Sequence, residues 1–523
     1  MEQIVLSPIF QSNMVLQRQK PIHIWGQAPA DRQVIIYLSQ DTTKTNPNTD
    51  YIENNTTGTY ASVSTISDSF GYFHGTLPPM EAARNCTLSV RCADSKAEEL
   101  ILTNVSIGDI WLACGQSNME FFLRYDKDWE TTKQLPENPD IHVYNVVQTA
   151  FEGHRRDIPG YGRWMNDKDP ELETFSAPGY SFARHIQPHI DVPIGIIGCN
   201  WGGTTATAWL DESELQKEPL CIYLEEYKQA LSMYSSEEMT QISLKAWEFE
   251  DSPEHGTDFA PLMYGRDYDW QKQYLKDHAS DPVIPLGPYN INRPGGLYHR
   301  MLEPLIPFSI KGVLWYQGES DAYHGDMYDI LLGTLIQSWR KKWNDNFPFL
   351  FVQLAPFGVW LECTSDHYTI VREKQELVSR TVPNTGMVSI MDIGSYYDIH
   401  PKEKMEVGRR LALLARGKVY GESILCKSPC ICMATRENHS IILTFDYCST
   451  LHMDGKRNDF VLKQNNTVLA LDSVSLIQNT IIISSNALSD GPVQISLGYA
   501  DYAEIHIYNE AELPILPFCI NIN

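Results

Sequence analysis

The run Asp109-Ile110-Trp111-Leu112-Ala113-Cys114-Gly115-Gln116-Ser117-Asn118-Met119 sets an apolar stretch against a glycine break and a polar turn. Residues Asp109 to Ala113 read as a buried strand, and Gly115 ends it. Ser117 therefore falls on the turn that leaves the strand at its C-terminal end. In an open α/β sheet that edge is where ligands bind. A serine there presents a hydroxyl beside backbone N–H groups, two components of an acyl-transfer site. The plainer reading is a turn serine capping the next helix, and Gly-Gln-Ser-Asn alone does not decide between them.

Working outward, apolar strand-like runs at 105–113, 192–198, 310–316, 348–355 and 386–392 alternate with helical patterns at 326–343, 370–380 and 402–416. Such alternation implies a parallel sheet covered on both faces. The acidic, aromatic and amphipathic segment 211–290 interrupts it and reads as an inserted helical or irregular subdomain. The α/β region thus falls into two parts, 105–210 and 291–420. Residues 1–104 read as an N-terminal β-sandwich, with short alternating runs such as Val34-Ile35-Ile36-Tyr37-Leu38 between Pro, Gly, Asn and Asp clusters. The Thr/Asn-rich tract Thr42 to Thr57 is expected to be an exposed hairpin loop. Residues 421–523 return to β character and form a C-terminal β-domain.

A length of 523 residues allows roughly three domains. The net charge of -25 argues against nucleic acid or an anionic membrane as partner, since both require a basic surface. The N-terminus shows neither a basic segment nor a long apolar one, so a cytoplasmic location is expected. Eleven scattered cysteines fit reduced thiols better than a disulfide framework. Cys426, Cys430 and Cys432 lack a second matching pair, which favours thiols over a zinc site.

Three more stretches fall at strand-to-helix turns of the same region. Asn200-Trp201-Gly202-Gly203-Thr204-Thr205 carries paired glycines that let backbone approach a ligand. In Trp315-Tyr316-Gln317-Gly318-Glu319-Ser320-Asp321 the Gln317 amide can donate to a developing oxyanion, and Glu319 can orient it or tie down its own loop. In Asp392-Ile393-Gly394-Ser395-Tyr396-Tyr397-Asp398-Ile399-His400-Pro401, His400 can accept the serine proton and return it. Asp398 can fix its tautomer. Of the 15 histidines, only His400 combines this setting with a nearby acid. The chain has no G-x-S-x-G elbow, H-E-x-x-H, P-loop or G-x-G-x-x-G, which removes the usual support for an α/β-hydrolase, metalloprotease, NTPase or dinucleotide enzyme.

With these residues, the chain resembles the sialate O-acetylesterase family of the SGNH hydrolases. The likeness runs from Leu6-Ser7-Pro8-Ile9-Phe10 and Asn13-Met14-Val15-Leu16-Gln17-Arg18, through Gly115-Gln116-Ser117-Asn118-Met119, Trp201-Gly202-Gly203-Thr204, Trp315-Tyr316-Gln317-Gly318-Glu319-Ser320 and Asp398-Ile399-His400-Pro401, to Leu513-Pro514-Ile515-Leu516-Pro517-Phe518. It implies a flavodoxin-like α/β/α SGNH hydrolase core, with a parallel sheet flanked by N- and C-terminal β-domains and no metal or cofactor. Ser117 would be the nucleophile and His400 the general base and acid. The Ser117 N–H, an N–H of Gly202 or Gly203, and the Gln317 amide would form the oxyanion hole. Gln116, Trp201, Tyr316 and Glu319 would bind substrate or support the site, and Trp209 could add an aromatic face for sugar.

Two departures bear on these roles. Many SGNH enzymes carry G-x-N-D, where this chain has Gly318-Glu319-Ser320-Asp321, so Gln317 must take over as donor. The usual acid stands three residues before the histidine, where this chain has Tyr397; Asp398 is two before. A backbone carbonyl, Asp392 or Glu319 could orient His400 instead. The resemblance implies hydrolysis of acetyl esters on sugars, with plant-derived oligosaccharides (xylan, xyloglucan, mannan) ranked ahead of a sialate-specific 9-O-acetylesterase. The expected partner is an O-acetylated carbohydrate, with a homo-oligomer left open. The alternative of another class is a non-catalytic carbohydrate-binding protein on a degenerate hydrolase core. It predicts a damaged nucleophile or base, yet Ser117 and His400 are both present.

Overall fold

A computed structural model describes residues 3–40, 58–94, 99–252, 266–361, 363–456, 458–500 and 502–522. Its centre is a 16-residue strand, Leu100–Gly115, buried without interruption from Val105 onward. The first half pairs antiparallel with Ala83–Cys92. The second half pairs in parallel with Ile194–Asn200 on one side and Gly312–Tyr316 on the other. A strand enclosed in this way has no solvent face, so its sequence is apolar rather than alternating. The domain boundary expected at 104 falls inside this one strand.

Across the central sheet the order is Trp164–Asn166, Ile141–Asn145, Ile194–Asn200, Leu100–Gly115, Gly312–Tyr316, Phe349–Val352 and Thr385–Val388. Every neighbouring pair is parallel except that of Trp164–Asn166 with Ile141–Asn145, so the sheet is mixed rather than purely parallel. The chain lays down strands on one side of Leu100–Gly115 and then crosses to the other. The order therefore reverses at this strand, and the crevice beyond its C-terminal end is the predicted ligand position.

Side chains of the central strand alternate between two cores. Trp111 and Ala113 pack with Phe182, Ala183, Leu411 and Ala415, from helices Ala177–Ile190 and Lys404–Lys418. Ile110, Leu112 and Cys114 join the core that holds Leu331, Trp339 and Val371, from helices Tyr328–Trp343 and Tyr368–Thr381. That second core continues into Leu16, Val34 and Leu88 of the N-terminal sheets.

Segment 211–290 contributes helices Cys221–Leu231, Ser236–Glu250 and Tyr268–Asp277. The second starts with a capping box in which Ser235 and Glu238 satisfy each other's backbone N–H groups. Near the C-terminus, two four-stranded antiparallel sheets enclose a third core that includes Ile441, Leu443, Ile481 and Ile495. All eleven cysteines are free thiols. Among the described residues no helix is long and apolar enough to cross a membrane. The tract Thr42 to Thr57 lies outside the described residues; the strands before and after it, Gln33–Gln40 and Gly58–Ile66, pair antiparallel.

Candidate active site

Gly115 makes the site's close geometry possible. Its φ is +140°, and a Cβ there would stand 2.2 Å from the Tyr316 carbonyl oxygen of the neighbouring strand. Only glycine tolerates both conditions. The chain then turns through Gln116 into the short helix Ser117–Glu120. Gln116 donates its N–H to the Tyr316 carbonyl at 3.2 Å, and its Oε1 accepts from the N–H groups of Gly318 (3.4 Å) and Ser320 (3.2 Å). The serine turn and the 317–320 turn are thereby fixed to each other.

Ser117 Oγ lies 2.9 Å from His400 Nε2, across 283 residues of chain. Both side chains border a cavity of about 670 Å³, together with Gly202, Gly203, Glu319, Trp360 and Tyr368. The Trp360 ring meets the His400 ring edge-on at 5.1 Å. On the far side of the imidazole, Asp398 Oδ1 accepts the His400 backbone N–H at 2.8 Å and stands 3.6 Å from Nδ1. The backbone bond curls the 398–400 turn so that an acid two residues away faces the correct nitrogen. Of the other two acids, Asp392 is clamped by Arg410 at 2.6 and 2.7 Å, and Glu319 accepts from Asn118 through one of its oxygens. Burial lowers the His400 pKa below 6.5, and the neighbouring Asp398 opposes this.

The glycine pair divides its work. Gly202 packs against Ser117, with 3.2 Å between its would-be Cβ and the serine Cβ, and gives its N–H to the Glu120 carboxylate. Gly203 has φ +73° and open space where a Cβ would stand, on the cavity wall. Ser117 begins its helix, where N–H groups have no intrahelical acceptor.

Several expected contributors are placed elsewhere. Gln317 is fully buried; its amide donates to the Thr204 carbonyl at 3.2 Å and to Asp321, and its Oε1 accepts from Tyr328. It braces the turn from behind instead of presenting an oxyanion donor. Tyr316 and Trp209 are fully buried and offer no face to a sugar. Trp201 packs among His154, Trp247 and Arg156 and borders a separate cavity of about 260 Å³. Position at a strand end does not tell which way a side chain points, and the inward-pointing residues of these turns are the misplaced ones. The aromatic rings that do line the main cavity are Trp360, Tyr368 and Tyr323, the last 82% exposed. Trp360 sits on a two-residue strand, Val359–Trp360, that carries no periodic signal.

Two further residues escaped the sequence reading. The Asn118 amide donates to the Ile399 carbonyl at 3.1 Å and to Glu319, while its Oδ1 accepts from Lys404 Nζ at 2.6 Å. Lys404 is fully buried, between the rings of Phe121 (5.0 Å) and Tyr316 (5.3 Å), and burial pushes its pKa down to about 7. Asn118 adjoins the serine in sequence; Lys404 follows the histidine by four residues at the start of a helix, where a lysine ordinarily faces water.

Fold and site together define an α/β protein with a serine–histidine pair in the crevice where the strand order of its central sheet reverses. Residues 107–242 and 289–415 match the family described as carbohydrate esterase, sialic acid-specific acetylesterase, and the chain belongs to that family. It is similar to the sialate O-acetylesterase of Rattus norvegicus, 27% identical over 351 residues, and to that of Homo sapiens, 26% identical over 349. These matches cover 62% of this chain, and 58% and 55% of the two relatives. A crystal structure of a carbohydrate acetylesterase from Xanthomonas citri aligns over 99% of both chains with a TM-score of 0.71 and 24% identity, which shows a shared fold.

Proposed function

We propose that the protein hydrolyses acetyl esters on carbohydrates through an acetyl-enzyme on Ser117. The observation that carries this reading is the 2.9 Å contact between Ser117 Oγ and His400 Nε2 at the wall of a cavity wide enough for a sugar. His400 takes the hydroxyl proton as Oγ attacks the acetyl carbonyl. The tetrahedral oxyanion is held by backbone N–H groups of Ser117 and Gly203. Such preorganised donors are worth about 3 kcal/mol each against the barrier. His400 then gives its proton to the departing sugar oxygen. Water attacks the acetyl group with the same base and releases acetate. The strand order supports an SGNH hydrolase core, with the β-sheets before and after it as flanking domains.

For the sugar itself, we favour a neutral acetylated oligosaccharide, of xylan, xyloglucan or mannan type, over a sialate. Glu319 and Asp366 stand on the cavity wall, and among its described residues there is no arginine or lysine. An anionic sugar would bring a carboxylate to this wall with no arginine or lysine among its described residues to meet it, at a cost in desolvation and repulsion. Acetate release should therefore be faster from acetylated xylo-, manno- or xyloglucan-oligosaccharides than from 9-O-acetyl sialic acid. Release from the sialate alone would overturn this preference. Ser117→Ala should lower hydrolysis of 4-nitrophenyl acetate by about three orders of magnitude or more. Undiminished hydrolysis by that variant would remove the site assignment and leave the carbohydrate-binding alternative standing.

A further inference from the structure

A closed loop of contacts joins the two reacting side chains. Ser117 is bonded covalently to Asn118. The Asn118 amide holds the carbonyl of Ile399 at 3.1 Å, Ile399 is bonded to His400, and His400 returns to Ser117 at 2.9 Å. The distance between hydroxyl and imidazole thus depends on one primary amide facing the correct way. An asparagine amide has two nearly isosteric orientations, and only one of them donates to Ile399. Lys404 selects that orientation from the oxygen side: its ammonium lies 2.6 Å from Oδ1, while the Glu319 carboxylate and the Ile399 carbonyl accept from the NH₂.

Nothing about packing calls for a lysine at this place. Burying an ammonium costs free energy unless it is well partnered. Its ammonium meets the Asn118 oxygen and two ring faces, and the Glu319, Asp398 and Asp126 carboxylates favour its charge electrostatically. A methionine would fill the same space between Phe121 and Tyr316 without that cost.

We propose that Lys404 and Asn118 form a positioning unit that sets the Ser117–His400 geometry, the ammonium fixing the amide and the amide fixing the histidine's backbone. This rests on the reading of Ser117 and His400 as nucleophile and base. The unit also carries an electrostatic consequence. The Lys404 charge disfavours a second cation on His400, while Asp398 favours it and burial opposes it. Glu319, Asp398 and Asp126 in turn favour the charge on Lys404. Removing the lysine should therefore raise the pH at which His400 gains its proton.

The test compares Lys404→Met, Asn118→Asp, Asn118→Leu and the double variant Lys404→Met/Asn118→Leu with the parent, using kcat, KM and the pH profile of kcat/KM for 4-nitrophenyl acetate. Misplacing the reacting groups by about an ångström costs on the order of a hundredfold in rate, so kcat should fall by about tenfold to a hundredfold in each single variant while KM stays within about twofold. In Lys404→Met the acid limb should move to higher pH. Because the two residues act in series, the double variant should lose no more than the worse single variant. Losses that multiply, or an acid limb that does not move, would overturn the proposal. Asn118→Asp retains a partner for Lys404 and removes the donor to Ile399, so it stands in if Lys404→Met fails to fold; unchanged kcat there also overturns it. Ser117→Ala separates the two levels: if it remains fully active the underlying reading fails, and if it is inactive while the positioning variants match the parent, only this inference fails.

Discussion

His400 must be neutral to take the Ser117 proton, and its surroundings favour that form. Burial holds its pKa below 6.5, and Asp398 at 3.6 Å from Nδ1 restores only part of the shift. Protonation silences the base, so kcat/KM should decline toward acid with a midpoint below 6.5. Replacing Asp398 by Asn removes an influence that favours the imidazolium. In Asp398→Asn the acid limb should move further toward acid, and kcat should fall by about a hundredfold or more as tautomer control is lost. A limb that moves toward higher pH, read from a pH profile of kcat/KM, would show that another group orients the ring. Ser117 was legible because it directly follows a strand end, and His400 because it stands between a strand and a helix with an acid beside it. Gln317 and Tyr316 occupy the same kind of position, yet their side chains turn into the core. Lys404 was hidden because its amphipathic helix gives no hint that its first residue points inward.

At the scale of elements, the serine turn depends on two strand ends closer together than ordinary residues allow. Gly115→Ala places a methyl 2.2 Å from the Tyr316 carbonyl at a φ of +140°. Backbone strain and overpacking together should cost about 2–4 kcal/mol, seen as a lower urea midpoint, and the displaced Ser117 should lose activity in the same variant. A variant as stable as the parent would mean that the two strands separate freely. The apolar strands around the site could be read from sequence because enclosure on both faces removes polar residues. Ile141–Asn145 could not, since His142 and Asn145 interrupt its apolar character although both are buried. Helix Ala177–Ile190 was obscured by two prolines. Pro178 lies in the first turn, where a missing N–H costs nothing, and Ser176 caps the end by accepting from Gly179 at 3.1 Å.

Across the whole molecule, one carboxylate gathers three distant parts of the chain. Asp109, fully buried, accepts from Arg18 at 2.9 Å through both Nε and Nη2, from Gln17 at 3.1 Å and from the Tyr420 hydroxyl at 3.0 Å. Gln17 also accepts the Ile110 N–H at 2.8 Å. Asp109→Asn keeps the shape and leaves the Arg18 cation without its counter-charge, which should cost about 3 kcal/mol, measured by urea unfolding. A loss well under 1 kcal/mol would reduce this cluster to a local contact. Three compositional regions were legible in the sequence, but their separation was not real at the junction, because an apolar strand looks the same whether it ends one sheet or begins the next.

The shared strand Leu100–Gly115 has a consequence for how this chain can vary. It works as a ruler with a fixed phase. A single residue gained or lost between Val105 and Trp111 would exchange the two faces of everything beyond it, sending Trp111 into the core that Leu112 now joins and Leu112 into the core that Trp111 now joins. The serine turn would then emerge facing away from His400. A change of one residue in the spacing from the N-terminal sheet to Ser117 therefore calls for a compensating bulge in the same strand.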